Sequence, residues 1–115
     1  MSGFYFMKKK YRIRKNEEFA SIISKKHSVA CDSFVLYFDN KKEDYGRAGI
    51  SVSKKMGDAV TRNKIKRQIR MMLLSSFDFD NSNIDLVLIA RKRYLDKDFI
   101  ANQTELEKLI KRAII

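Results

Sequence analysis

The spacing of apolar residues changes period several times along this chain of 115 residues. After Asn16, the apolar positions Phe19, Ile22 and Ile23 recur at helical spacing. Asn16 is placed to cap that helix, with Glu17 and Glu18 in its first turn facing the positive end of the dipole. The helix is expected to run to about Lys25. Ser28–Ala30 reads as a short strand. From Ser33 to Asp39 the period becomes two, with Phe34, Leu36 and Phe38 on one face and Val35 and Tyr37 on the other. The polar stretch Asn40–Gly46 reads as a loop. Arg47–Ser53 alternates again, setting Ala48, Ile50 and Val52 against Gly49, Ser51 and Ser53. These two strands are expected to pair as a hairpin. Gly57 interrupts the pattern, and Asp58 is placed to cap a second helix reaching about Ser75. Another polar loop, Asp78–Asn83, leads into Ile84–Ala90 (IDLVLIA), a nearly continuous apolar run that suits a strand buried on both faces. Asp98 is placed to cap a last helix whose inner side carries Phe99, Leu106, Leu109, Ile110 and Ala113.

This order predicts a compact α+β fold in one domain over residues 1–115. No proline, repeat or low-complexity linker divides the chain, and its length suits a single core. Residues 1–7 are expected to lack fixed structure, and Met7 offers an alternative start. No apolar run approaches the roughly 20 residues that span a bilayer. The short apolar stretch of MSGFYFMKKK precedes the charges, the reverse of a secretory signal, which points to a cytoplasmic protein. The single cysteine, Cys31, excludes a disulfide framework and a Cys-based zinc site. His27 lies four residues earlier, but no third group completes a catalytic set. Cys31 reads as a half-buried small side chain and His27 as a surface residue.

Charge changes the picture more. The net charge is +11 and the pI about 9.9, which calls for a polyanionic partner. Between Tyr45 and Phe77 stand Arg47, Lys54, Lys55, Arg62, Lys64, Lys66, Arg67 and Arg70, with Asp58 the sole acid. Residues 8–15 add six cations and no acid. On a helical wheel with Arg62 at zero, Lys66 falls near about 40°, Arg70 near about 80°, Asn63 near about 100° and Arg67 near about 140°. Ile65, Ile69, Met72 and Leu73 occupy the sector from about 280° round to about 20°. One stripe is therefore suited to a core and the adjacent one is basic. The i, i+4 pairs Arg62/Lys66 and Lys66/Arg70 repel, at roughly a few tenths of a kcal/mol each, and a phosphate backbone along the stripe would offset that cost. No carboxylate cluster for a two-metal nuclease stands out. Asp78, Asp80 and Asp85 come nearest, and they read as a solubilising turn and strand start.

The segment SVSKKMGDAVTRNKIKRQIR, residues 51–70, closely resembles the signature of the bacterial ribonuclease P protein subunit family. That signature has Ser-x-x-Lys-Lys ending a strand, then Gly-Asn/Asp-Ala-Val, an Arg-Asn-Arg-type helix start, Lys-Arg and a further Arg. KYRIRKNEEF resembles the family's basic arm and first helix, FVLYF its strand, and IDLVLIARK its last strand. The resemblance implies an αβββαβα order, a mixed four-stranded sheet and a left-handed βαβ crossover, a ribosomal-protein-like fold. It implies that Lys54, Lys55, Arg62, Asn63, Lys64, Lys66, Arg67 and Arg70 contact the catalytic RNA. It also implies that a cleft between the first helix and the sheet takes the single-stranded 5′ leader of precursor tRNA. Phe19 and Tyr37 fall in that cleft by position, flanked by the arm with Lys10, Arg12 and Arg14; aromatic faces beside cations suit single-stranded RNA. The implied reaction is hydrolysis of one phosphodiester bond to leave a mature tRNA 5′ phosphate. Magnesium is implied to sit mainly on the RNA, with no catalytic residue or metal ligand in this chain and no protein partner required. Two positions depart from the pattern. Lys64 stands in the triplet's last Arg position, keeping the charge but losing the two-pronged fork. Ile23 stands where the family often has an aromatic.

Three other classes fit parts of the pattern. A structural or ribosomal RNA-binding protein without enzymatic assembly would explain the charge, but not the specific 51–70 segment. A DNA-binding protein reading with Ala59–Ser75 would want a partner helix just before it, where Ala48–Ser53 has a strand pattern. A membrane-surface protein would want large apolar residues beside the basic stripe, and Ile65, Ile69 and Leu73 are needed for the core.

Overall fold

In the computed structural model, which describes residues 7–114, the chain forms α1 (Asn16–Ser24), β1 (Ser28–Ala30), β2 (Phe34–Asn40), β3 (Ala48–Ser51), α2 (Ala59–Ser76), β4 (Ile84–Ala90) and α3 (Phe99–Ile114). Short 3₁₀ turns lie at Lys9–Tyr11, Lys54–Met56 and Lys92–Asp96. This is the αβββαβα order, around a mixed four-stranded sheet ordered β1-β2-β4-β3. The most apolar strand takes an interior place. β4 pairs antiparallel with β2, Leu36 opposite Leu88, and parallel with β3, Ile50 opposite Leu88.

The sheet order corrects the expected hairpin: β2 and β3 are not partners, because β4 lies between them. The physical reason is burial. IDLVLIA needs cover on both faces, whereas Gly49 and Ser51 leave β3 suited to an edge. The loop from β2 to β3 must therefore cross the chain entering β4. It does so at close quarters. The Lys41 amide donates to the Asn83 carbonyl at 3.0 Å and the Gly46 amide to the Phe79 carbonyl at 2.7 Å. A Cβ on Gly46 would lie 2.6 Å from the Ile84 carbonyl oxygen, so the crossing admits no side chain there.

The alternation of the strands decides what each helix covers. Phe34, Leu36, Leu86, Leu88, Ala48 and Val52 form the main core with Ile65, Ile69, Met72 and Leu73 of α2 and Leu106, Leu109, Ile110 and Ala113 of α3. The apolar stripe laid out for α2 is thus its buried stripe. The other face carries a smaller cluster, Ile13, Ile22 and Val87, with Phe19, Ile23, Tyr37 and Ile89 half-buried around it. The Phe19 ring of α1 rests on the backbone of Gly49, where a Cβ would come within 2.6 Å of it.

Three more expectations need correction. Asn16 does not cap α1: Lys15 holds the N-cap position in extended conformation, with no side-chain cap bond, and Asn16 is already helical. Met7 is not loose: it is 2% exposed and packs in the main core, because the Arg12 Nε donates to its carbonyl at 2.8 Å and ties the arm down. Residues 1–6 lie outside the described residues. Asp85 is not part of a solubilising turn but is fully buried. The other two helix starts are as read, with Asp58 accepting from the Thr61 amide and Asp98 from the Ala101 amide, each at 2.8 Å.

Asp85 is held by Arg47, one of the cations counted between Tyr45 and Phe77. The Arg47 amide donates to Asp85 Oδ1 at 2.9 Å. Its Nη2 donates to Asp85 Oδ2 at 3.1 Å and to Glu18 Oε2 at 2.8 Å. This guanidinium joins the start of β3, the start of β4 and the first turn of α1. Burial pushes the Asp85 carboxyl up against the pull of Arg47, while the hydrogen bond from Arg47 holds Glu18 below its ordinary value. Replacing Arg47 by Ala would strand the Asp85 charge in the interior, and Arg47→Ala is expected to cost about 3–5 kcal/mol of stability, read by urea unfolding. A carboxyl with a lowered folded pKa stabilises above its unfolded value, about 4.3 for Glu, and loses that contribution as pH falls through the folded value. Glu18→Gln should therefore flatten part of the loss of stability below about pH 4, in melts run across pH.

Candidate nucleic-acid interface

Asp58 starts α2 in such a way that the first turn presents cations. Its side chain satisfies the Thr61 amide, and the Arg62 Nε donates back to the Gly57 carbonyl at 3.2 Å. Asn63, Lys64 and Arg67 are exposed, while Arg62, Lys66 and Arg70 are half-buried on the side next to the core stripe. Lys54 and Lys55 are exposed on the 3₁₀ turn that precedes the helix. Among the described residues, the ion pairs join Arg47 to Glu18 and Asp85, and Lys97 to Asp32 and Glu105. None involves a cation of α2 or of the turn before it.

The cations assigned from sequence to a second ligand do not gather in one place. Lys10 lies over the rings of Tyr11 and Tyr45, 4.9 Å from each centroid. Tyr11 belongs to the main core, stacks on Phe79 and donates its hydroxyl to Asp80 at 2.5 Å. Lys10 is thus turned toward the main-core side, away from Phe19 and Tyr37. Asp80 is engaged rather than free, and Asp78 accepts from the Asn81 side chain at 2.8 Å. Arg12 and Arg14 line a cavity with Lys66 and Arg70 of α2. Phe19 and Tyr37 do share the α1 face of the sheet, both half-buried.

Sequence reading passed over one contribution. β3 and β4 run parallel, so both end at the same rim of the sheet. The turns beyond them, Lys54–Met56 and Lys92–Asp96, pack together and set exposed Lys92 and Arg93 near Lys54 and Lys55. The run Arg91-Lys92-Arg93 after the last strand was the available signal. Arg91 is partly engaged, donating to the Cys31 carbonyl at 3.0 Å. The second turn is anchored to α2 by Tyr94, whose hydroxyl donates to Gln68 Oε1 at 2.7 Å; burial pushes its pKa up to about 12. Cys31 and His27 are as read: Cys31 is a half-buried free thiol and His27 is exposed.

Fold and surface together define a small α+β protein with a cationic helix face free of carboxylates and a separate, half-open aromatic face, an arrangement suited to nucleic acid. The comparisons agree. The family model for ribonuclease P matches residues 7–114. The ribonuclease P protein component of Mesoplasma florum is 49% identical over 107 residues, covering 92% of this chain and 97% of that one. That of Staphylococcus aureus strain Mu3 is 48% identical over 111 residues, covering 93% of each. Among solved structures, the Staphylococcus aureus RNase P protein superposes with a TM-score of 0.79 at 45% identity, covering 90% of this chain and 94% of that one. The Thermotoga maritima RNase P protein gives 0.75 at 31% identity, covering 88% and 96%. The chain belongs to the ribonuclease P protein family, whose members are accessory subunits of a tRNA-processing endoribonuclease.

If the α2 stripe holds RNA phosphates, the combined change of Arg62, Lys66 and Arg70 to Ala should weaken binding to the catalytic RNA. It should also flatten the log affinity–log salt slope by somewhat under about one unit for each phosphate no longer neutralised. Filter binding across a salt series measures both, and an unchanged affinity and slope would mean the stripe is a solvated face.

Proposed function

We propose that this protein serves ribonuclease P by holding two RNA segments on two surfaces. The surface of Lys54, Lys55 and the α2 residues Arg62, Asn63, Lys64, Lys66, Arg67 and Arg70 takes the catalytic RNA. The face of α1 and the sheet that carries Phe19 and Tyr37 takes the 5′ leader of precursor tRNA. The observation that carries this reading is the separation itself. Among the described residues the cations of α2 make no ion pair, and the half-buried aromatics lie on the opposite side of the sheet, so the two ligands need not compete.

The protein's part in catalysis is binding and orientation. We assign the magnesium ions of the reaction to the RNA, in keeping with the donors the chain offers. Among the described residues no group of three or more His, Cys, Asp or Glu side chains is placed to hold a metal. Asp85 is engaged by Arg47, Asp80 by Tyr11 and Asp78 by Asn81. We further propose that the assembly is cytoplasmic and needs no other protein; among the described residues no helix is long and apolar enough to cross a membrane.

Reconstitution tests the reading. Protein alone should leave precursor tRNA intact, whereas protein with bacterial catalytic RNA should cleave it at lower magnesium than the RNA alone. Robust cleavage by RNA-free protein would defeat the assignment. The leader groove has its own test. Tyr37→Ala should lower affinity for precursor tRNA with a leader of several nucleotides by about 1–3 kcal/mol for each base that no longer stacks. Affinity for mature tRNA and assembly with the catalytic RNA should stay nearly unchanged. Equal losses for both tRNAs, accompanied by a large drop in melting temperature, would make Tyr37 a packing residue.

A further inference from the structure

A cavity of about 430 Å³ opens at the C-terminal end of α2, between Tyr11 and the segment 74–80. Its volume falls in the range of small-molecule sites, about 300–1,000 Å³. It begins one turn beyond Arg70, because Leu74 follows Arg70 at i+4 and lines it. Charge changes sign there. Asp78 and Asp80 stand exposed in the wall, and neither makes an ion pair among the described residues. Both act on one point: the bond to Asp80 pushes the Tyr11 hydroxyl up in pKa, burial adds to this, and so does the charge of Asp78. The helix end is negative too. α2 has no basic residue in its last turn, and the carbonyls of residues 74–76 accept no backbone hydrogen bond among the described residues. Such free carbonyls favour a cation. The Ser76 hydroxyl, on the same wall, is buried and has no hydrogen-bond partner. A buried hydroxyl left alone opposes folding until a partner reaches it.

Carboxylates, helix carbonyls and a hydroxyl oxygen are all acceptors, so the ligand must donate and carry positive charge. A compact divalent ion suits the place poorly. Magnesium and calcium draw six or more oxygens into one tight shell. Here Asp80 Oδ1 is taken by Tyr11, and both Asp78 oxygens accept from Asn81. No group of three His, Cys, Asp or Glu side chains is placed to hold a metal among the described residues. An alkylammonium fits better, with three donors at its head and methylenes to lie along Leu74 and Phe77. The Lys10 ammonium does not fill this role, for it is held over the rings of Tyr11 and Tyr45, 4.9 Å from each centroid.

We propose that this cavity binds one terminal ammonium of an aliphatic polyamine, with Asp78 and Asp80 as its counter-charges and Ser76 and the end of α2 as further acceptors. A chain of net charge +11 repels such a ligand at long range, and only this local reversal of sign holds it. The consequence for RNA rests on the reading that the α2 stripe carries the catalytic RNA. A phosphate backbone running along Arg62, Lys66 and Arg70 reaches Asp78 and Asp80 next, where like charges oppose it. A polyamine seated by one ammonium turns its others outward and continues the basic stripe past the end of the helix.

The first arm of the test uses the full chain without RNA, and spermidine as the probe. Amide NMR shifts on titration should centre on Tyr11 and residues 74–80 and saturate. Magnesium chloride of equal ionic strength should neither reproduce nor reverse them. Asp78→Asn and Asp80→Asn keep the side-chain shape, and an amide oxygen still accepts from Tyr11. Each should weaken spermidine binding several-fold, and the double variant should weaken it further. Shifts spread over the whole surface, equal affinity in the variants, or the same shifts with magnesium would overturn the site. The wild-type comparison decides even if a variant folds poorly. The second arm measures affinity for bacterial catalytic RNA with and without spermidine at constant ionic strength. Without spermidine, the Asp78→Asn/Asp80→Asn double variant should bind the RNA several-fold more tightly than wild type. Spermidine should narrow that gap. A gap that spermidine leaves unchanged overturns the bridge to RNA, since any effect on the RNA itself is common to both proteins. The combined Arg62, Lys66 and Arg70 variant keeps the two failures apart. If it binds the RNA as wild type does, the stripe reading fails, while the polyamine site still stands or falls on the first arm.

Discussion

A single guanidinium holds together the place where α1, β3 and β4 meet. Arg47 reaches Asp85 through both its backbone amide and its side chain, and Glu18 through the same Nη2. Asp85 is fully buried, and a carboxylate there is tolerable only with a partner. Its position at the start of β4 sets where β3 runs alongside, because Arg47 is the residue just before β3. Glu18 adds α1 to the same point, and the next residue, Phe19, lies over Gly49. Arg47 thus ties the first turn of α1 to the sheet, beside the packing of Phe19, Ile22 and Ile23 on the same face.

The remaining charges are sorted with equal consequence. Acids pair with the cations that fix the fold: Arg47 at one end of the sheet, and Lys97 with Asp32 and Glu105 where α3 meets the β1–β2 turn. The α2 cations keep no such partners among the described residues. Repulsion along the helix is small per pair, and the buried stripe of Ile65, Ile69, Met72 and Leu73 outweighs it at about 1.5–3 kcal/mol per large apolar side chain buried. The helix can thus display its cations in the absence of RNA because its other side is anchored in the main core. Parallel pairing of β3 with β4 adds to this, since it brings the turns that follow both strands to one rim.

Much of this was written in local pattern. The helix-capping Asp58 and Asp98, the two-faced apolar strand Ile84–Ala90 and the division of α2 into a buried and a basic stripe all follow from spacing. Period and burial are linked through geometry that a few neighbouring residues determine. The 51–70 segment carried the family in the same way, because a motif of close neighbours survives intact along the chain. Lys64, a departure within that segment, and Ile23, a departure in the first helix, are equally visible along the chain.

Pairing between distant segments was not legible, because nothing local records it. The sequence by itself determined the elements, their faces and the excess of positive charge. Only the tertiary structure decided that β4 separates β2 from β3, as a strand apolar on both sides must lie inside the sheet. It likewise decided that Arg47 turns inward, since its partners are 29 and 38 residues away. Met7 became a core residue through a bond made to its carbonyl from Arg12. Arg12 and Arg14 came to line one cavity with Lys66 and Arg70 of α2 because the arm pairs with the start of β3. Charge counted along a chain gives its amount and its stretches, whereas which charges meet in space depends on contacts that close long loops, and those form only when the core does.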